Sequence, residues 1–242
     1  MNDAINNFYD RDNDNLDSHP LPIEQSIVDA ACKTHFPSPL KESVKNLSNA
    51  EKMLLIADRF RDIMEILGLD LTDDSLQRTP ERVAKMYVEE IFSGLDPATF
   101  PEVGFFEDRF QHGRRSNMVF VKVKFCSFCE HHFVPMNGTA CVAYIPNGKL
   151  IGLSKIPQIV RFFARRPQVQ ERLTAQIADA LSILTGSEHV AASLCAEHQC
   201  MIARGIESDD SFAVTNVLRG NFEYDTELRK EFFFNASQKV NL

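Results

Sequence analysis

Two short segments far apart in the chain, Cys129-Glu130-His131-His132 and His198-Gln199-Cys200, constrain its fold more than anything else in the sequence. Cys129 and His132 are close enough for one tight turn to aim a thiolate and an imidazole at the same metal ion. Cys200 reads as part of a strand, on which His198, two residues earlier, points to the same face. Together the segments offer two thiolates and one or two imidazoles, the donor set that zinc prefers. They act as a set only in a fold that returns the second segment to the first. His131 and His198 are left over beside the metal. Three ligands plus spare acid–base groups suit a catalytic zinc with an open water position better than a closed structural one. The residues point to a zinc hydrolase.

One rival concerns Cys126, because Cys126-Ser-Phe-Cys129 has the spacing of half a zinc ribbon. A fourth ligand there would close the site. It would leave His131 and His198 idle, and a ribbon usually brings a second Cys-x-x-Cys pair, which this chain lacks. The other cysteines, Cys32, Cys141 and Cys195, sit among apolar or small residues and are expected as buried thiols. Six cysteines in a chain of 242 residues do not make a disulfide scaffold.

A hydrophobic content of 44% is enough for a sizeable core, so one domain with extensions is expected. The net charge of −8 argues against a nucleic-acid partner but leaves room for a local basic pocket that takes an anionic small molecule. No apolar run is long enough to cross a bilayer, so no membrane association is expected. The segment 1–17 lacks the basic and apolar regions of a signal peptide. The cytoplasm is the expected compartment.

Periodicity divides the chain into a flexible N-terminal arm (1–49), a helical region (50–115) and a catalytic domain (116–242). From Ala50, the residues Leu54, Leu55, Ala57, Ile63, Ile66 and Leu67 trace one helical stripe, stopped by Gly68. Thr79-Pro80 predicts a second helix, with Thr79 as N-cap and Pro80 in first position, running to Phe92 and ending at Gly94. Val119, Val121, Val123 and Phe125 alternate with Phe120, Lys122 and Lys124, predicting a half-buried strand whose lysines are wet. A strand over Thr139–Ile145 and helices over Lys155–Arg165 and Val169–Leu184 follow, the last closed by Gly186. Strands are predicted for Val190–Leu194, Cys200–Ile206 and Phe212–Leu218, then a helix for Asp225–Phe234. Adjacent hairpins with helices on one face make this α+β. His19, His35, His112 and His189 have no partners visible in sequence.

At this point a family becomes visible. Thr79-Pro-Glu-Arg-Val-Ala-Lys-Met-Tyr87, Cys129-Glu-His-His-Phe133, Val142-Ala-Tyr-Ile-Pro146, Ile151-Gly-Leu-Ser-Lys155, Gln168-Val-Gln-Glu-Arg-Leu-Thr174 and His198-Gln-Cys-Met-Ile-Ala-Arg-Gly205 closely resemble GTP cyclohydrolase I. The resemblance runs from about Ala50 to the final helix. It implies a tunnelling fold, an antiparallel sheet with two helices packed on one face, plus an N-terminal helical extension. It also implies a ring-shaped homodecamer of two pentamers whose active sites are shared between subunits. The implied reaction opens the purine imidazole ring of GTP, releases formate and yields 7,8-dihydroneopterin triphosphate for folate or a related pterin pathway.

By the same resemblance, Cys129, His132 and Cys200 hold zinc, and His131 and His198 are the acid–base pair. Gln170 and Glu171 read guanine, Ser154 contacts the ribose region, and Lys155, Arg82 and Arg204 bind the triphosphate. The chemistry fits these residue types. Zinc lowers a bound water's pKa from 15.7 to about 7, imidazoles transfer protons near neutrality, and a carboxylate pairs with the N1–H and 2-amino edge of guanine.

Two departures stand out. Gln158 replaces an arginine usual in the family, and Arg161, a helical turn on, is a candidate to compensate. The Ser/Thr-rich stretch near the C-terminus reads Ala213-Val-Thr-Asn-Val-Leu-Arg219. Gln158 motivates one alternative, a paralogue for a modified or less phosphorylated guanine nucleotide. The other alternative is a catalytically silent zinc-stabilised oligomer that serves as a binding partner. Retention of both spare histidines and the guanine-reading pair argues against it.

Overall fold

The computed structural model describes residues 23–41, 47–109, 118–205 and 211–238. Of the histidines without sequence partners, His19 and His112 lie outside these residues, as does the start of the N-terminal arm. The protein is α+β. Its centre is a five-stranded sheet in the order β5-β2-β3-β6-β7, formed by β2 (Val119–Cys129), β3 (Pro135–Tyr144), β5 (Pro167–Gln168), β6 (Val190–His198) and β7 (Phe212–Leu218). All neighbours are antiparallel except the short β5, which runs parallel to the end of β2. A separate ribbon pairs β1 (Phe105–Glu107) with β4 (Lys149–Ile151).

Helices α4 (Lys155–Ala164) and α5 (Gln170–Thr185) pack on one face of the sheet. Their apolar positions interleave with the inward residues of the strands, so Ile156, Phe163, Leu173, Ile177 and Leu181 are buried together with Met136, Val142 and Leu194. Each fully buried Leu or Ile stabilises the fold by roughly 1.5–3 kcal/mol. Gly186 ends α5 at φ +65°, the left-handed conformation that glycine adopts without Cβ strain.

The expected α4, α5 and β7 coincide with the observed elements to within a residue at either end. Helix α2 (Asn49–Ile66) starts with a capping box, in which Glu51 N–H donates to Ser48 Oγ and Ser48 N–H donates to Glu51 Oε2. Its predicted stripe is the exception to the burial pattern. Ala57 and Met64 are buried, but Leu54, Leu55, Ile63, Ile66 and Leu67 are exposed on the single chain.

Several expectations need correction. Gln25–Lys33, within the supposed flexible arm, is a helix (α1) whose Ala31 and Cys32 enter the main core. The chain beyond it is strapped down by buried groups of α5: Asp179 accepts from His35 N–H at 3.0 Å and Gln176 donates to Phe36 O at 2.7 Å. His35 therefore has a partner, since its Nδ1 also lies 3.2 Å from Asp179, which pairs with Arg219 as well. His189 is also partnered, accepting from Asn221 N–H at 3.2 Å.

Thr79 is not an N-cap but the first residue of α3 (Thr79–Lys85), because its N–H already donates to Leu76 O in the preceding turn. The rod then widens into a π-helical turn, Met86–Ile91. Gly94 marks a close approach rather than a helix stop: a Cβ there would lie 2.0 Å from Phe162 O.

Cys200 is not on a strand. β6 ends at His198, and Gln199–Ile202 forms one helical turn (α6). Cys195 is exposed, whereas Cys32 and Cys141 are buried as expected. Lys122 is not merely wet, because its ammonium donates to Ala236 O and Gln238 O at the end of α8 (Thr226–Ser237), at 2.7 and 2.9 Å. Helix α8 covers part of the opposite face of the sheet, where Phe232 packs on Phe120 and, with Phe222 of α7 (Asn221–Tyr224), forms a second small core.

Candidate active site

β2 delivers Cys129 as its last residue, on the buried side of the strand. The chain turns sharply there. Phe133 N–H donates to Cys129 O at 2.8 Å, Cys129 N–H donates to Val134 O at 2.9 Å, and Phe133 takes φ +54°. A left-handed phenylalanine is uncommon and is tolerated only where its surroundings hold it. Here Tyr87 and Phe92 grip its ring, at centroid distances of 6.3 and 5.2 Å. Tyr87 lies within the π-helical turn, a distortion often found at functional sites, and Phe92 directly follows it. The turn is also held from α5, where Arg172 forms a two-pronged ion pair with Glu130 at 2.8 and 3.0 Å. That hydrogen-bonded guanidinium keeps the Glu130 carboxyl below its ordinary pKa.

The second segment arrives where β6 stops. The single turn of α6 swings Cys200 back, so that ligand atoms of Cys129, His132 and Cys200 all lie within 4.8 Å of one another. Two thiols and an imidazole, with Cys129 buried and His132 exposed, form a group that can hold a metal ion with one side open to solvent. Burial, with Cys129 close by, raises the Cys200 thiol pKa in the metal-free chain. His131 Nδ1 is 3.7 Å from Cys129 Sγ.

Cys126 is not part of this group. Residues three apart on a strand face opposite ways, and Cys126 is exposed with Lys124 on the other side of the sheet. The ribbon-like closed site is therefore ruled out for these residues.

The remaining expected residues separate into two sets. Arg204 NH1 lies 2.9 Å from His132 Nε2, and His198 Nε2 lies 2.7 Å from Gln170 Oε1. Desolvation lowers the pKa of His198, with the Glu171 carboxylate opposing that shift. These residues gather at one end of the sheet. Arg82 and Ser154 are exposed and Lys155 is half-buried, and no hydrogen bond or ion pair among the described residues joins any of them to the cysteine–histidine group. Gln158 and Arg161 line one cleft of about 300 Å³ between α4 and the turn at Ser93–Thr99.

Sequence reasoning assigned no role to Glu130, Thr174 or Thr215, and did not pair Arg172 with Glu130; each lies inside a stretch singled out in the sequence, and that placement was the available signal.

The family model described as GTP cyclohydrolase I matches residues 56–237. The chain is 53% identical to GTP cyclohydrolase 1 of Aeromonas salmonicida (strain A449) over 214 residues, covering 88% of this chain and 96% of that one. It is 48% identical to GTP cyclohydrolase 1 of Vibrio cholerae serotype O1 over 207 residues, covering 85% and 93%. It is 50% identical to GTP cyclohydrolase 1 of Enterobacter sp. (strain 638), covering 88% and 95%. With the Cys-Glu-His-His turn and the distant cysteine brought to one point inside the matched region, the chain belongs to the GTP cyclohydrolase I family.

Proposed function

We propose that this protein hydrolytically opens the imidazole ring of GTP, releases formate and forms 7,8-dihydroneopterin triphosphate, using zinc held by Cys129, His132 and Cys200. The main support is the convergence of those three side chains beside His131, in a chain about half identical to relatives that carry the enzyme's name. Two soft thiolates and one imidazole match zinc's preferences and leave a fourth position free. When bound, zinc supplies Lewis acidity and water activation.

The protein's residues supply the remaining chemistry. His131 and His198 accept and return protons as C8 is hydrated and the ring nitrogens become leaving groups. Glu171, exposed at the start of α5, accepts from the N1–H and 2-amino group of guanine, an edge that adenine lacks. Gln170 adjoins it. Arg204, Arg82 and Lys155 take the triphosphate and Ser154 the ribose region.

Among the described residues Arg82, Ser154 and Lys155 make no hydrogen bond or ion pair with the metal group, and we assign them to the site of a neighbouring subunit in a homodecamer of two pentameric rings with the tunnelling fold. The exposed stripe of α2 supports such an assembly, as does β7, an outermost strand with Phe212 and Val214 exposed. The cytoplasm suits thiolate ligands, and no helix among the described residues is long and apolar enough to cross a membrane.

Incubation of purified protein with GTP should release formate and give a neopterin chromophore, and absence of both would refute the activity. His131→Gln and His198→Gln should retain metal, read by elemental analysis, while turnover falls by about 10²–10⁴-fold. Metal loss from His198→Gln would make that residue a ligand.

A further inference from the structure

Gln170 is buried at the first turn of α5, and its side-chain amide can point only one way. Its nitrogen lies 3.0 Å from Leu194 O on β6, 3.0 Å from Ala213 O on β7 and 3.1 Å from Thr215 Oγ1. Two of these partners are backbone carbonyls, which only accept. An amide turned the other way would set its oxygen against both carbonyls with no proton between them. The NH₂ group therefore faces the strands, and Oε1 faces His198 Nε2 at 2.7 Å.

Neighbouring hydroxyls close the chain of donors. Thr174 donates to Gln170 O at 2.8 Å, so in its 2.6 Å contact with Thr215 it accepts and Thr215 donates. Thr215 Oγ1 is then free to accept from Gln170. The two amide hydrogens are shared among three acceptors, Leu194 O, Ala213 O and Thr215 Oγ1, and the direction of the remaining contacts follows.

We infer that Gln170 is a positioning residue that holds His198 in the tautomer protonated at Nε2, so that Nδ1 carries the lone pair and is the atom that takes and gives the proton. The inference deepens the proposed function and rests on its assignment of proton transfer to His198. Oε1 accepts from Nε2–H whether or not Nδ1 holds a proton, so the imidazole can pass through both states without turning its ring. The assignment also takes Gln170 away from guanine: both amide hydrogens are used within the protein, and base reading falls to Glu171. Residues that orient a working imidazole in other sites fix its tautomer by the same logic.

The test combines a spectroscopic and a kinetic reading on the full chain as purified. In ¹⁵N-histidine NMR at mildly alkaline pH, the signal that disappears in His198→Gln should show a protonated Nε2 and a bare Nδ1. Gln170→Met keeps the volume and removes the hydrogen bonds, and should mix the tautomers of that signal. With GTP, its kcat should fall about ten- to a hundredfold while KM stays within about twofold. Thr215→Val removes one support of Gln170 without touching His198, and should produce the same mixing to a smaller degree. It decides the question if Gln170→Met does not fold.

A wild-type signal protonated at Nδ1, or one unmoved in the variants, overturns the inference whatever the protein does to GTP. A raised KM with an unchanged kcat in Gln170→Met also overturns it and returns Gln170 to substrate binding. Failure of GTP turnover in the wild type, with the NMR result as expected, would count against the proposed reaction and not against the tautomer.

Discussion

The two faces of the central sheet share their strands and differ in nearly everything else. The inner face carries Val123, Phe125, Cys129, Met136, Val142 and Leu194 under α4 and α5, and nearly all of it is dry. The outer face carries Lys124, Cys126, Asn137, Thr139, Cys195 and Glu197. Among the described residues only one end is covered, by α8, and the rest borders an open concavity of about 750 Å³. Both faces offer cysteines and polar groups, so residue type does not explain why one of them holds the site. Parity does. Along β2 the odd-numbered residues from Val123 face inward, so Cys129 reaches the helices and the returning segment while Cys126 cannot.

The sharpest test of that contrast compares the two cysteines. Cys129→Ala should abolish both metal binding and turnover, whereas Cys126→Ala should keep both, as read by elemental analysis and the GTP assay. Metal loss from the Cys126 variant would break the parity argument. Next in size are two neighbours on β6. Leu194→Ala should cost about 2–5 kcal/mol in chemical denaturation, because it opens a cavity beneath α5. Cys195→Ala, one residue along and exposed, should stay within about 0.5 kcal/mol. Equal costs would mean that the outer face is packed as tightly as the inner.

A cost well below that of Leu194→Ala belongs to Lys122, an outer-face residue that α8 recruits. Lys122→Met should cost about 1 kcal/mol by leaving the carbonyls of Ala236 and Gln238 to water. Faster amide exchange confined to the end of α8 would register the loss. Exchange that quickened across the whole sheet would show the outer contact to be structural throughout.

Elements whose partners lie nearby in the chain were legible from the sequence. The alternation of β2 and the spacing of Leu173, Ile177, Leu181 and Leu184 on α5 gave both the element and the buried side, because the covering layer comes from the same hairpins and helices. The same kind of pattern on α2 identified the helix but not its covering, since a period shows which face needs a partner and not where one is found. Cys200 misled because Cys200-Met-Ile-Ala is a short continuous apolar run that suits a strand or a helix equally, whereas the strand ends at His198 and one helical turn carries Cys200 toward Cys129.

Within the site, the metal-ligating trio was visible as chemistry in its spacing. The support of His198 was not, because Gln170 finds its partners on strands laid down 24, 43 and 45 residues later. Nothing local in Gln170-Glu171 distinguishes a side chain that meets substrate from one that holds a histidine. α1 is hidden in the sequence for a similar reason: nine residues carry too short a period to reveal that Ala31 and Cys32 complete a distant core.

The strap after α1 imposes an order in time. His35, Phe36 and Ser38 are among the earlier residues to be synthesised, yet the groups that fasten them, Asp179, Gln176 and Arg166, are 144, 140 and 128 positions further along the chain. On a growing chain the strap has nothing to hold until α5 has been made. Until the strap docks, Asp179 keeps Arg219 and Gln176 keeps Gln168, but Asp179 lacks the His35 N–H and Gln176 the Phe36 carbonyl. Contacts of such long range form slowly. The segment made early can thus be fastened only after α5 exists.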